Sequence, residues 1–342
     1  MKVSSFHYEL PKELIAQEPL EERNSSRLLH VAPDGLVHHA QFNALSETLS
    51  SSDLLVINDT RVFPARLLGQ RSSGGIIELL LVEDLGSHQW RVLAKPLRKL
   101  HIGEVVSFGE GRLTSEVKSL EPPTVQFDFE SDWESLLDEV AETPLPPYIR
   151  STYSEMWKRR RYQTIYADTK GSIAAPTAGL HFTKEIFDDL QRRGIAVAKL
   201  TLHVGDATFA PIRSQTVEKH TMGVERFYIP KETVDLIRGS RRVVAVGTTT
   251  VRALESGFRR DFAPGWHETD LFITPGFKFQ VVSGLITNFH LPMSTLLLLV
   301  SALGGVENIL RAYREAVQRR YRFYSFGDAM LLYPAIFGAR KV

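Results

Sequence analysis

An interruption limits what this chain can fold into. The run Asp53-Leu54-Leu55-Val56-Ile57-Asn58 is continuously apolar between polar ends, the mark of a strand covered on both faces. From Arg61 to Asp128 the texture changes. Short segments of strand character follow one another at Ala65–Gly69, Gly75–Glu83, Gln89–Lys95, Glu104–Phe108, Leu113–Leu120 and Thr124–Phe129, most of them separated by glycine, serine or proline turns. A spacing of about 8–12 residues between short strands is that of a small antiparallel barrel or sandwich. After Arg150 strand–turn–helix units return. The pattern predicts an α/β main domain built from residues 1–60 and 151–342, with an inserted small antiparallel β-barrel domain at 61–150.

Local signals place the other elements. A helix is expected at Lys12–Gln17 after Pro11, and a short one near Trp133–Glu139, followed by the stiff exit Thr143-Pro144-Leu145-Pro146-Pro147-Tyr148. Thr183 reads as the N-cap of a helix ending near Gly194, with a strand at Ala196–Val204. A second unit runs from a strand at Arg241–Val246 through the turn Gly247-Thr248-Thr249-Thr250 to a helix at Val251–Ser256. A third places a strand at Leu285–Thr287 before the loop Asn288–Pro292 and a helix through Leu303.

Composition then excludes function classes. The 342 residues contain no cysteine, so disulfides, thiolate metal sites and a cysteine nucleophile are ruled out. The N-terminus lacks a secretory apolar core, and the most apolar stretch, Leu291–Leu303, is too short for a bilayer. A cytoplasmic protein is expected. No nucleotide-triphosphate, dinucleotide or zinc-protease motif is present. The net charge is only +1, yet basic runs stand out, above all Lys158-Arg159-Arg160-Arg161. Such a run serves either as a phosphate contact or as a solvated helix face.

In an open α/β sheet ligands bind beyond the carboxyl ends of the strands. The loops there are polar: Asn58-Asp59-Thr60-Arg61, His203-Val204-Gly205-Asp206, Gly247–Thr250 and Thr287–His290, joined by Ala174–His181. Gly247, Thr248 and Thr249 read either as a helix cap or as an anion cradle, because amides at a helix start carry partial positive charge. His181, His203, His220 and His290 are proton-transfer candidates, and Asp59, Glu225, Glu255 and Asp328 could balance a cationic ligand. Aromatic residues including Tyr148, Tyr162, Tyr166 and Phe289 could face a sulfonium or pack in the core.

The runs Tyr8-Glu9-Leu10-Pro11, Ser26-Arg27-Leu28-Leu29, Asp53–Val62, Leu145–Ile149, Tyr162–Ala167, Gly171–Thr183 and Leu202-His203-Val204-Gly205 are joined by others in the C-terminal half. These are Val246-Gly247-Thr248-Thr249 with Val251-Arg252, Thr287–Pro292, and Tyr321-Arg322-Phe323 with Gly327-Asp328. In this order, along nearly the whole length, the chain resembles the S-adenosylmethionine:tRNA ribosyltransferase-isomerase family of queuosine biosynthesis. The resemblance implies an α/β fold with an inserted β-barrel. It also implies transfer and isomerisation of the ribosyl moiety of S-adenosylmethionine onto 7-aminomethyl-7-deazaguanine at the tRNA wobble position. S-adenosylmethionine would be a co-substrate, with no metal and no permanently bound cofactor, and the chain is expected to act as a monomer.

Within that reading, His181 or His290 would transfer protons, with Asp59 and Glu225 as electrostatic partners. Thr248, Thr249 and Arg252 would hold the methionine carboxylate. Arg61, Thr177, Gly179, His203, Gly247 and Asn288 complete the expected substrate site, and Lys158, Arg159, Arg160 and Arg161 the expected tRNA contact. The sequence departs from the family pattern at His220-Thr221-Met222-Gly223-Val224-Glu225, where Gly223 replaces a second histidine. Ala207 and Met293 are further departures. A methyltransferase using the same co-substrate and a tRNA-binding protein without turnover are the competing readings. Release of adenine, of S-adenosylhomocysteine or of neither tells the three apart.

Overall fold

A computed structural model describes residues 1–130, 132–146, 148–149, 153–205, 212 and 214–334. Asp206, Ala207, Thr208, Phe209, Pro147 and Arg150, which the sequence singles out, lie outside them. In chain order the strands are β1 (Arg27–Val31), β2 (Val37–Gln41), β3 (Asp53–Asn58), β4 (Thr60–Val62), β5 (Arg66–Arg71), β6 (Ile76–Gly86), β7 (Gln89–Lys95), β8 (Val105–Phe108) and β9 (Leu113–Leu120). They continue as β10 (Pro123–Asp128), β11 (Thr169–Ser172), β12 (Ala196–Leu202), β13 (Glu225–Ile229), β14 (Arg242–Val246), β15 (Gly265–Thr269), β16 (Val282–Asn288) and β17 (Ala329–Leu332).

Nine strands form one mixed sheet in the order β15-β13-β12-β3-β14-β16-β17-β1-β2. At its centre β12, β3, β14 and β16 run parallel. All six residues of β3 are buried, as an unbroken apolar run in a sheet covered on both faces requires. The outer strands β13, β15, β17 and β2 pair antiparallel with their inner neighbours.

The second sheet is a closed barrel, β10-β7-β6-β5-β8-β9, with every pairing antiparallel. Its interior is apolar, around Leu67, Ile77, Leu79, Leu81, Val106 and Phe127. The inserted barrel is therefore observed, and all six strand-like segments of the sequence supply its staves. Its stem is a separate two-stranded ladder in which β4 pairs parallel with β11, so that the chain leaving the main sheet is tied to the chain returning to it. Arg66 also bridges Glu78 and Glu142 across the barrel base.

Some expectations are corrected. Lys12–Gln17 forms only the single 3-10 turn Lys12–Leu14; Ala16 then donates its amide to the Phe323 carbonyl at 3.2 Å. Six residues are too few to nucleate a helix once another backbone offers pairing. The helix expected at Val251 begins at Thr248 and runs to Phe258, so the threonines form its first turn rather than a preceding loop. Gly247 caps it at φ +91°, a conformation that favours glycine. Strand β12 stops at Leu202, because the Val204 amide turns to the Ser172 hydroxyl at 2.9 Å. Among the described residues no single helix is long and apolar enough to cross a membrane.

Candidate functional site

Because β12, β3, β14 and β16 are parallel, their carboxyl ends share one edge. That edge carries His203, Asn58-Asp59, Gly247 and Asn288. Strand β17 starts beside Asn288, and β1 pairs with β17 in parallel, which brings Ser26 and Arg27 to the same edge. Asn58, fully buried, joins the rim together. Its amide donates to the Leu202 carbonyl at 3.0 Å, and its oxygen accepts from the amides of Leu202 at 2.9 Å and Thr60 at 3.1 Å.

Where β14 gives way to the Thr248–Phe258 helix lies a cavity of about 40 Å³. Thr177, Gly247, Thr248, Thr249, Asn288 and His290 line it, with Thr287, Tyr324 and Ser325. The sequence reading brings six of its site residues together here. It did not single out Tyr324 or Ser325, although both sit between the recognised runs at Tyr321–Phe323 and Gly327-Asp328. Tyr324 holds φ +74°, fixed by its amide to the Phe289 carbonyl at 3.0 Å. Gly179 is not in the cavity wall. A Cβ there would fall 2.0 Å from the Tyr166 hydroxyl, so close packing explains this glycine.

The two leading histidines differ in what remains free. His181 is buried with both ring nitrogens engaged: Nδ1 lies 2.8 Å from the Ser26 hydroxyl, and Nε2 accepts from Asn288 Nδ2 at 3.1 Å. Burial, assisted by Arg23 and Arg322, holds its pKa down to about 3. His290 is lowered to about 3 by burial alone; its Nε2 meets the Thr287 hydroxyl at 3.0 Å, and the ring borders the cavity. Both are neutral at physiological pH, but only His290 faces the cavity.

The carboxylates separate in the same way. Asp59 accepts from the Thr201 hydroxyl at 2.6 Å, and burial raises its pKa. Glu225 pairs with Arg252 in a buried ion pair and accepts from the Gly205 amide at 3.1 Å. Arg252 also donates to the Leu271 carbonyl at 3.0 Å and is not in the cavity wall; its Nη1 holds Glu225, and its Nη2 is buried without a partner among the described residues. Glu255 and Asp328 are structural anchors. Glu255 accepts the amides of Gln280, Val281 and Val282, and Asp328 accepts those of Arg27 and Arg322. Arg61 is exposed and bonded to the Ala167 carbonyl at 2.8 Å.

There are also two wide clefts, one between the barrel and the β13/β15 edge of the main sheet, the other between the barrel and the 143–149 segment. One, of about 590 Å³, is bounded by Trp90, Trp133, Lys170, His203, Glu225 and Arg226. In it His203 meets the Thr60 hydroxyl at 2.8 Å and faces Trp266, and burial holds its pKa at about 4. The other, of about 770 Å³, is bounded by Arg66, Leu93, Leu145, Lys158 and Ile173. Gly171 borders the first cleft, Ile173 and Ala174 the second, and Ala175–Ala178 the cavity. One short loop thus touches all three.

The basic run lies on the Glu155–Arg161 helix, and two of its members are committed inside the protein. Arg159 donates to the carbonyls of Asp138 at 2.7 Å and Ala141 at 3.1 Å, and Arg161 to those of Leu20 and Glu21. Lys158 borders the larger cleft and Arg160 is exposed.

With this geometry in view, comparison with known proteins is informative. The family described as Queuosine biosynthesis protein matches residues 3–332. The chain belongs to that family. It is 45% identical to the S-adenosylmethionine:tRNA ribosyltransferase-isomerase of Thermoanaerobacter sp. (strain X514), over 97% of this chain and 100% of the relative. It is 48% identical to the protein of the same name from Carboxydothermus hydrogenoformans, with the same coverage. A solved structure, S-adenosylmethionine tRNA ribosyltransferase from Thermotoga maritima, is 38% identical with a TM-score of 0.55, covering 96% of this chain and 100% of that one. The α/β sheet with an inserted barrel is thus an architecture this queuosine-family chain shares with a solved relative.

Proposed function

We propose that the chain moves the ribosyl moiety of S-adenosylmethionine onto 7-aminomethyl-7-deazaguanine at the wobble position of tRNA, giving epoxyqueuosine, adenine and methionine. The observation that carries this reading is the loop Gly171–Ala178, which borders a small polar cavity and two clefts of about 590 and 770 Å³. Those clefts fall in the size range of ligand pockets, so each can take one of two large substrates next to the segment they share.

The chemistry fits the groups at the rim. A sulfonium acidifies the adjacent 5′ carbon; loss of that proton gives an ylide, the ribose rearranges and adenine leaves. The base must be neutral and shielded from water. His290 is neutral and buried at the cavity, and in this reading its Nε2–H donates to the Thr287 hydroxyl, which leaves Nδ1 to receive the proton. His181, with both nitrogens engaged, acts by fixing Asn288 rather than by moving a proton. Glu225 borders the smaller cleft with its charge paired to Arg252, and Asp59 lies buried against the Thr201 hydroxyl. For tRNA, the exposed Arg160 is the proposed phosphate contact of the run, with Lys158, 3.9 Å from Glu155, beside it at the larger cleft, while Arg159 and Arg161 hold their helix in place. A cytoplasmic monomer is part of this reading.

The test is incubation of the protein with S-adenosylmethionine and tRNA bearing the aminomethyl base, following adenine and the nucleoside mass. Adenine together with the epoxide-bearing nucleoside is expected, and neither without the aminomethyl group. His290→Ala should abolish single-turnover adenine release. Release of S-adenosylhomocysteine instead, or of nothing from folded protein, overturns the reading.

A further inference from the structure

The rim cavity holds two unmet hydrogen-bonding demands of opposite sense. The first-turn amides of Thr248 and Thr249, whose residues line the cavity, have no partner among the described residues, as the start of a helix dictates. Opposite them, Asn288 is only 2% exposed. Its Nδ2 is spent on His181, and its Oδ1 is buried without a partner. Buried amide oxygens are rarely left so. The Ser26 hydroxyl donates to the Arg23 carbonyl at 3.5 Å, which leaves its oxygen to accept from His181 and sets the orientation of the Asn288 amide. For His181 Nε2 to accept from Asn288, Nδ1 must carry the proton and donate it to the Ser26 hydroxyl, 2.8 Å away. Phe42, with its ring centre 4.9 Å from that of His181, packs the imidazole in place.

The cavity therefore asks for an acceptor at one end and a donor at the other. An inorganic anion would answer the helix amides and leave Asn288 Oδ1 unpaired. Among the described residues no Asp, Glu, Lys or Arg borders the space, so a ligand group of zero net charge fits best. Its volume of about 40 Å³ is that of a few waters, enough for a carboxylate and an adjoining ammonium but not for a nucleoside. Val204 borders both this cavity and the cleft of about 590 Å³, which gives the rest of such a ligand somewhere to lie.

We propose that this cavity receives the α-amino-acid head of S-adenosylmethionine, with the carboxylate on the Thr248 and Thr249 amides, the ammonium on Asn288 Oδ1, and His181 and Ser26 as positioning residues for that amide. The assignment rests on the functional reading above and adds to it the part of the co-substrate that is recognised first. It gives His181 a specificity role in place of proton transfer.

The experiment is calorimetric binding of three sulfonium ligands to the full chain: S-adenosylmethionine, its decarboxylated analogue and its deaminated analogue. The intact head should bind about 10- to 100-fold more tightly than either truncated one, the range expected for one charge-assisted hydrogen bond. Asn288→Ala should weaken the intact ligand by a similar factor and leave the deaminated one unchanged. His181→Gln should do the same in smaller measure, whereas a merely structural role for His181 would weaken both ligands equally. Asn288→Asp, of the same shape, should shift preference toward the decarboxylated ligand, and its thermal melting checks the fold. Equal affinity for all three ligands in the native protein overturns the proposal. If adenine is still released from modified tRNA in that case, the functional reading stands and only the head-group assignment falls; absence of both binding and release removes both.

Discussion

The barrel and the rim of the open sheet meet their polar obligations in opposite ways. In the barrel the staves close on themselves, backbone groups pair around the ring, and the enclosed side chains are almost all apolar. At the rim the parallel strands simply end. Their last residues must find other partners, and the side chains that provide them are polar and buried: Asn58, Asp59, Thr249, His181, Asn288 and His290. Both histidines of the barrel strands and their connections, His88 and His101, are exposed, whereas the rim histidines are held neutral by burial. In this chain the closed sheet turns apolar side chains inward, whereas the open one offers polar groups at its carboxyl ends.

The sharpest way to break this contrast is to remove one buried side chain from each region. Leu79→Ala in the barrel interior should cost about 3 kcal/mol through a cavity, yet leave adenine release per folded molecule unchanged. Asn58→Ala at the rim strands the Leu202 and Thr60 backbone groups. It should cost about as much stability, roughly 3 kcal/mol, and abolish activity as well. Urea denaturation paired with adenine assays checks both. Loss of activity in Leu79→Ala at temperatures where it is folded would show that the barrel does more than wall the clefts.

Acid sharpens the comparison next. His181 and His290 have folded pKa values near 3 against an ordinary 6.5, so below pH 6.5 the unfolded chain takes up protons that the folded one refuses. The stability these residues confer is whole above pH 6.5. It drains as the pH falls toward 3, each approaching a slope of about 1.4 kcal/mol per pH unit. His203, at about 4, adds to the loss, while Asp59, raised by burial, opposes it. Hydrogen exchange at pH 5 should therefore show the rim amides losing protection relative to pH 7 before those of the barrel. Equal loss in both regions would contradict the burial of these rings.

The smallest effect belongs to the contact between the regions. Lys170 on β11 pairs with Glu134 on the Trp133–Val140 helix, and both are well exposed. Lys170→Ala should change the urea midpoint by an amount equivalent to less than about 0.5 kcal/mol.

Much of this was legible in the sequence because the signals were local. Six barrel staves follow from alternation and turn residues within windows of about ten positions, and β3 from one unbroken apolar run. The Gly247–Thr250 turn and the Thr287–His290 loop were found because they follow strands. Other features depend on partners far away in the chain. Nothing near Ser26 says that it faces His181, 155 positions on. Arg252 is separated from Glu225 by 27 positions and two intervening elements, so a free guanidinium and a committed one look alike in sequence. Arg159 and Arg161 read as a phosphate patch until the carbonyls they clamp come into view.

By itself, the sequence determined where strands could form, that a barrel interrupts an α/β domain, and which loops would be polar, since each depends on periodicity and turn chemistry along the chain. The tertiary structure alone decided which polar groups are spent and which are left over. That follows from strand order and burial, because a hydrogen bond across 155 residues leaves no periodic trace in either partner's neighbourhood. His181 and His290 look equivalent as histidines; only the fold surrounds one with two partners and turns the other toward the cavity.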